Sequence, residues 1–193
     1  MKSVLLLLCA SFVLMLSGFI PFNNSVNAEL VDRFWCVLDG DQQVPPNNTY
    51  GHGFVGLKFT KDSKQLVYNV NVKDIDNITG IYLNSAGNKS PKGNMILDFL
   101  KEAKELKVKG DDINMTNVNP HQKEGTVAVG GITPEDLQGE LKGKSLADLR
   151  KLMMDGGVYV VVETKNFPLG EIRGGEFVPI DRIFPDISDF HWD

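Results

Sequence analysis

Cysteine and histidine are scarce in this chain, and their scarcity removes whole classes of chemistry. Only Cys9 and Cys36 occur in 193 residues. Cys9 lies in an apolar leader, so the body of the chain keeps one thiol and no intramolecular disulfide. Stability must then come from packing. Cys36 shares a face with Phe34 and Leu38 in the segment Val31 to Leu38, where a free cysteine reads as a buried, unreactive core residue. Three histidines, His52, His121 and His191, stand in no ligand-like spacing. Cysteine-based zinc motifs, glycine-rich phosphate loops and nucleophile elbows are all missing. Positive charge is also short, with 20 Lys and Arg against 25 Asp and Glu and a net charge of −5. The charges are scattered with no basic stripe, which speaks against nucleic acid and anionic membranes as partners.

Long hydrophobic runs are lacking too, apart from one at Val4 to Ile20. Lys2 precedes that run, Pro21 to Asn27 follows as a polar spacer, and Val26-Asn27-Ala28 offers small residues at a cleavage site. The layout predicts a secretory signal over residues 1–28, cut after Ala28. An uncleaved anchor is the alternative, because the run is long for a signal core and short for a membrane span. Cys9 follows Leu8 rather than a small residue, so no lipoprotein site is expected. The mature part is expected to have no membrane span and to reside outside the cell or at its envelope. It keeps 165 residues, enough for one domain with a real core. Four N-x-S/T sites, at Asn47, Asn77, Asn88 and Asn114, are candidate glycan acceptors in an exported chain.

What is plentiful is strand pattern. Leu66, Tyr68, Val70 and Val72 interleave with Asn69, Asn71 and Lys73, and Val55, Leu57 and Phe59 alternate with Gly56, Lys58 and Thr60. A period of two places one face in a core and one in water. Short strands at about ten-residue spacing, broken by Asp-Gly, Pro-Pro and Asn clusters, predict an all-β antiparallel sandwich or barrel, Greek-key-like. Val158 to Val162 is apolar on both faces and should be a central strand. Val44-Pro45-Pro46 cannot donate ladder hydrogen bonds and should mark an edge or loop.

Helix signals are few. Thr133-Pro-Glu-Asp136 combines an N-cap hydroxyl, proline at the first helical position and acids in the first turn. Ser145-Leu-Ala-Asp148 starts a second helix, with Leu146, Leu149 and Leu152 on one face and Gly156-Gly157 as its stop. Asn94 to Lys107 begins like a strand and continues with helix-favouring residues, so both readings stay open. Lys109 to Glu124 reads as an exposed loop. The tail, residues 178–193, carries Ile183, Phe184, Ile187, Phe190 and Trp192. It either packs back over the domain or docks on a partner, since a solvated end would not hold so much apolar surface.

Two carboxylates invite a catalytic reading. If 158–164 and 170–177 pair as a hairpin, Glu163 and Glu171 stand nearly opposite each other, and a retaining glycosidase needs carboxyl groups roughly 5 Å apart. The competing reading is structural, with Arg173 on the face of Glu171 as an ion pair closing the sheet. A hard cation held by Asp39, Asp41 and loop carbonyls is a further option, although Asp39-Gly-Asp41 lacks the spacing of an EF-hand loop. Pro168 and Gly170 suit the hairpin turn, and Gly174-Gly175 would let a neighbouring element approach closely.

Leu38-Asp-Gly-Asp-Gln-Gln-Val-Pro-Pro46, followed by Thr49 and Gly51-His-Gly53, resembles the opening signature of chordin-type (CHRD) domains. Gly130-Gly-Ile-Thr-Pro-Glu-Asp-Leu-Gln-Gly139 is similar to their central segment. Gly156-Gly-Val-Tyr-Val-Val-Val-Glu-Thr164 with Phe167-Pro-Leu-Gly-Glu-Ile-Arg-Gly174 is similar to their closing hairpin. The resemblance spans about Arg33 to Phe177, within an expected domain of residues 29–177. It implies an extracellular all-β module, associated in animals with binding secreted growth factors and standing alone behind a signal peptide in microbes, with no activity assigned. Members commonly carry a His-x-His pair and a third histidine before the threonine of the closing strand. Here Tyr82, Asn84 and Glu163 occupy those positions, a set that could hydrogen-bond a polar ligand or hold a hard cation. The expectation is therefore an exported, non-enzymatic binding or envelope module without a cofactor, its ligand an extracellular protein or glycan. The alternatives are a glycan hydrolase using Glu163 and Glu171, and a cation-binding protein.

Overall fold

In a computed structural model, residues 33–86, 94–103 and 123–180 are described. The expected leader, the sites at Asn88 and Asn114, nearly all of the expected loop from Lys109 and the tail beyond Ile180 lie outside them. Among the described residues, the alternating segments are strands. The strands are β1 (Arg33–Asp39), β2 (His52–Phe59), β3 (Leu66–Lys73), β4 (Ile78–Ser85), β5 (Asn94–Asp98), β6 (Glu124–Ile132), β7 (Val158–Thr164), β8 (Ile172–Gly174) and β9 (Val178–Pro179). They form one antiparallel sheet in the order β5-β4-β7-β8-β1-β2-β3-β6, with β9 against β1. The fold is all-β, as the periodicity predicts, and takes the form of a single sheet curled into a half-barrel.

The curl gives the inner face a core without a second sheet. Phe34, Cys36 and Leu38 from β1, Val55, Leu57 and Phe59 from β2, and Leu66, Tyr68, Val70 and Val72 from β3 all turn inward and are buried. Their sequence neighbours Val67, Asn69 and Asn71 are only half-buried on the outer face. Phe34 and Phe59 meet edge to face at 5.9 Å, which suits the aromatic quadrupoles. The two ends of the sheet are brought together by side chain and loop. Tyr68 donates its hydroxyl to Phe99 O (2.7 Å), and Gln138 N, in the segment after β6, donates to Ile96 O of β5 (2.8 Å).

That segment contains two single-turn 3₁₀ helices, Pro134–Asp136 and Gly139–Leu141. Thr133 and Asp136 close the first, Asp136 Oδ2 accepting from both the amide (2.8 Å) and the hydroxyl (3.0 Å) of Thr133. The α-helix α1 (Leu146–Met154) opens on a capping box: Ser145 Oγ accepts from Asp148 N (3.2 Å), and Asp148 Oδ2 accepts from Ser145 N (2.9 Å). Leu146, Leu149 and Met153 enter the core, while Leu152 is only partly buried. Arg150 lays its guanidinium over the Phe59 ring at 4.3 Å. The described part of the ambiguous stretch, residues 94–103, is β5 followed by a turn, and the rest of it lies outside the described residues. Asp98 Oδ1 accepts from Leu100 N and Lys101 N (3.1 Å each), an Asx arrangement that ends the strand.

Candidate functional site

The closing hairpin, β7 and β8, holds the two glutamates and places them differently from the hairpin expected above. Val162 faces Ile172 in the ladder, yet its carbonyl also accepts from Glu171 N at 2.7 Å. Two residues against one is the geometry of a bulge, and it turns Glu171 toward the core side with Ile172. The buried Glu171 carboxylate is then fully engaged, Oε1 by Thr49 Oγ1 and Oε2 by Thr164 Oγ1, both at 2.7 Å. Successive strand residues alternate faces, so a carboxylate bonded to Thr164 lies across the sheet from the side chain of Glu163. The expected opposed pair of carboxylates is therefore absent.

Arg173 does not neutralise Glu171 either. Its guanidinium stacks over the Tyr159 ring at 3.5 Å on the outer face. The bulge separates Glu171 from the alternation that would have put both charges on one side. What closes the hairpin instead is glycine. A Cβ on Gly174 would fall 2.1 Å from Val37 O and 2.8 Å from Cys36 Sγ, so β8 reaches β1 only because no side chain intervenes. Gly170 has φ +117°, and a Cβ there would meet Gln43 Nε2 at 2.3 Å and Val161 Cγ2 at 2.5 Å.

Glu171 also anchors the loop that leads into β2. Asn47 Nδ2 donates to Glu171 O (2.8 Å), and Asn47 Oδ1 accepts from Thr49 N (3.2 Å). Thr49 Oγ1, besides donating to Glu171, accepts from Gly51 N at 2.9 Å. Asn47 is thus a structural amide in the folded chain, whereas Asn77 is exposed. The loop holds Pro45 and Pro46, outside any strand, and the Val44–Pro45 bond is cis. At its start, Asp39 accepts from Gln42 N (2.9 Å) and Gln42 Nε2 (3.0 Å), so this carboxylate serves a turn. Among the described residues, no group of three or more His, Cys, Asp or Glu is placed to hold a metal ion.

Tyr82, Asn84 and Glu163 lie on one face of the β4–β7 pair, since Gly80 faces Glu163, Tyr82 faces Val161 and Asn84 faces Tyr159. Tyr82 leans over Gly80, where a Cβ would sit 2.3 Å from its hydroxyl. Burial first, then the charges of Asp98 and Glu163, hold the Tyr82 hydroxyl above its ordinary range. Tyr82 and Glu163 are therefore neighbours. Asn84 stands one rung further along, buried beside the Tyr159 ring that carries Arg173.

The sequence reading missed a cleft of about 580 Å³ at one end of the sheet. Asn48, Thr49 and Tyr50 form one wall and Phe167 of the hairpin turn another. Asp74, Asp76 and Lys123 complete it from the loops that follow β3 and precede β6. Lys123 Nζ lies 2.6 Å from Asp76 Oδ2, and that contact holds the ammonium above its ordinary range. Both loop walls are fixed by the glutamate hub, one through Thr49 and the other through Thr164, whose amide and hydroxyl bond Phe167. The only sequence signal was an unexplained tyrosine beside Gly51-His52-Gly53. Asp74, Asp76 and Lys123 are far apart in the chain from it, and no local pattern joins them.

A half-barrel of antiparallel strands, sealed by a glycine hairpin and with its end loops pinned to a buried carboxylate, defines an all-β scaffold domain. A family model for the CHRD domain matches residues 34–175, and the chain belongs to that family. No curated protein and no solved structure matches it. Among the described residues no helix is long and apolar enough to cross a membrane.

Proposed function

We propose that this chain is an exported, non-enzymatic binding module of the CHRD family, acting outside the cell or at its envelope. The supporting observation is the engagement of Glu171, whose two carboxylate oxygens are both taken by threonine hydroxyls. A general acid or nucleophile needs a free oxygen within reach of substrate. Glu171 is buried with a threonine on each oxygen, and Glu163 lies on the other face of β7, so the pair that suggested hydrolysis is divided between two faces. The end loops that Glu171 holds carry a cleft of a size usual for small-ligand sites. An N-terminal stretch with the layout of a secretory signal supports export.

The test is turnover on a panel of extracellular polysaccharides, read as new reducing ends. The expected result is no release above a blank. Release that Glu163→Gln abolishes, with melting unchanged, would overturn this reading in favour of a hydrolase.

A further inference from the structure

Tyr50 is 92% exposed, yet its backbone lies between two hydrogen-bonded residues. Thr49 before it is tied to Glu171, and Gly51 after it donates to Thr49 Oγ1. His52 Nδ1 lies 3.2 Å from the Tyr50 carbonyl. A large ring carried on a tied backbone has only its two side-chain torsions left to order on binding. Asp74 also lines the cleft, and its charge acts on the Lys123 ammonium although the direct ion pair is with Asp76. The Asp74 backbone is held at φ +58°, a left-handed conformation. Asp76 is beside it, its charge compensated by Lys123 at 2.6 Å.

We infer that this cleft binds a neutral sugar residue of an extracellular glycan. The inference rests on the binding-module reading and names its ligand class. A sugar ring has an apolar C–H face and a rim of hydroxyls that both donate and accept. The Tyr50 ring matches the face. Asp74 and Asp76 accept from adjacent hydroxyls, Lys123 donates to a third oxygen, and the exposed Asn48 amide can do either. An anionic ligand would meet two carboxylates against one ammonium. A metal ion would find only the two aspartates, and a basic peptide would meet two carboxylates whose charge Lys123 already offsets in part.

The experiment is calorimetric titration of the full domain with neutral cello-, xylo-, manno- and chito-oligosaccharides, and separately with an oligolysine peptide. At least one oligosaccharide should bind, and binding should persist in 0.5 M salt (about three times the ionic strength at which the Debye length is ~8 Å), because no net charge pair forms. Tyr50→Ala and Asp74→Asn should each weaken it by about tenfold or more, a factor worth ~1.4 kcal/mol. Met154→Ala, at an exposed site on α1, should leave it unchanged. Melting curves of each variant separate lost binding from lost fold. Failure of every oligosaccharide, binding indifferent to Tyr50→Ala, or salt-sensitive binding of oligolysine alone would overturn the inference. A bound glycan that is shortened by mass spectrometry would instead overturn the non-enzymatic reading and leave the ligand class standing.

Discussion

A carboxylate as buried as Glu171 is costly unless its oxygens are occupied, and here each oxygen has its own hydroxyl donor. Hydrogen bonds to a charged group contribute about 1.5–3 kcal/mol each, so this residue clamps the loop at Thr49 to the hairpin at Thr164. Cys36 shows a different consequence of burial. Surrounded by the core and near Glu176, its thiol is pushed up from 9.0 to about 12, first by desolvation and then by that charge. The Tyr68 hydroxyl, buried and donating to Phe99 O, is raised as well, mainly by desolvation. Both groups stay protonated in the fold at pH values where the unfolded chain has lost the proton. Their contribution is fully present below about pH 9 and is lost as pH rises toward the folded values. Urea melts should therefore show stability falling between about pH 9 and 12, and a flat profile there contradicts the buried placement of the two side chains.

At the scale of elements, β8 is only three residues long and survives because it is wedged between β7 and β1. Gly174→Ala places a Cβ 2.1 Å from Val37 O, a backbone atom that cannot step aside. The expected cost is about 3 kcal/mol or more in chemical denaturation, as for an overpacked core. Gly175→Ala meets only Tyr159 Cβ at 3.4 Å and Val158 O at 3.5 Å, so it should cost under about 1 kcal/mol. Equal effects of the two substitutions would refute the close-approach account. Much at this scale was legible in the sequence. The period of two in β3 and the doubly apolar run in β7 read correctly because burial on one face or both is written directly in residue type. The capping signals at Thr133 and Ser145 were equally local. The Glu171–Arg173 pair was misread because strict alternation cannot anticipate a bulge, which changes the face of every residue beyond it. The cleft left no more than one tyrosine as a trace in the sequence, since Tyr50, Asp74 and Lys123 meet only once β2, β3 and β6 have paired.

For the whole molecule, the sheet supplies a rigid half-barrel and the loops at one end supply shape and chemistry. The two depend on each other through one carboxylate. If Glu171 is a clamp and not a catalyst, removing either partner must leave the other stranded, and removing both must be tolerated better than the sum. The most direct measurement is a double-mutant cycle in chemical denaturation with Thr49→Val and Glu171→Met. Each single substitution should cost about 1–3 kcal/mol, and the double should cost little more than the larger single. The coupling energy is then at least about 1 kcal/mol, within the range for contacting residues. Additivity to within about 0.3–0.5 kcal/mol, the behaviour of independent sites, would contradict the clamp and with it the structural role assigned to Glu171.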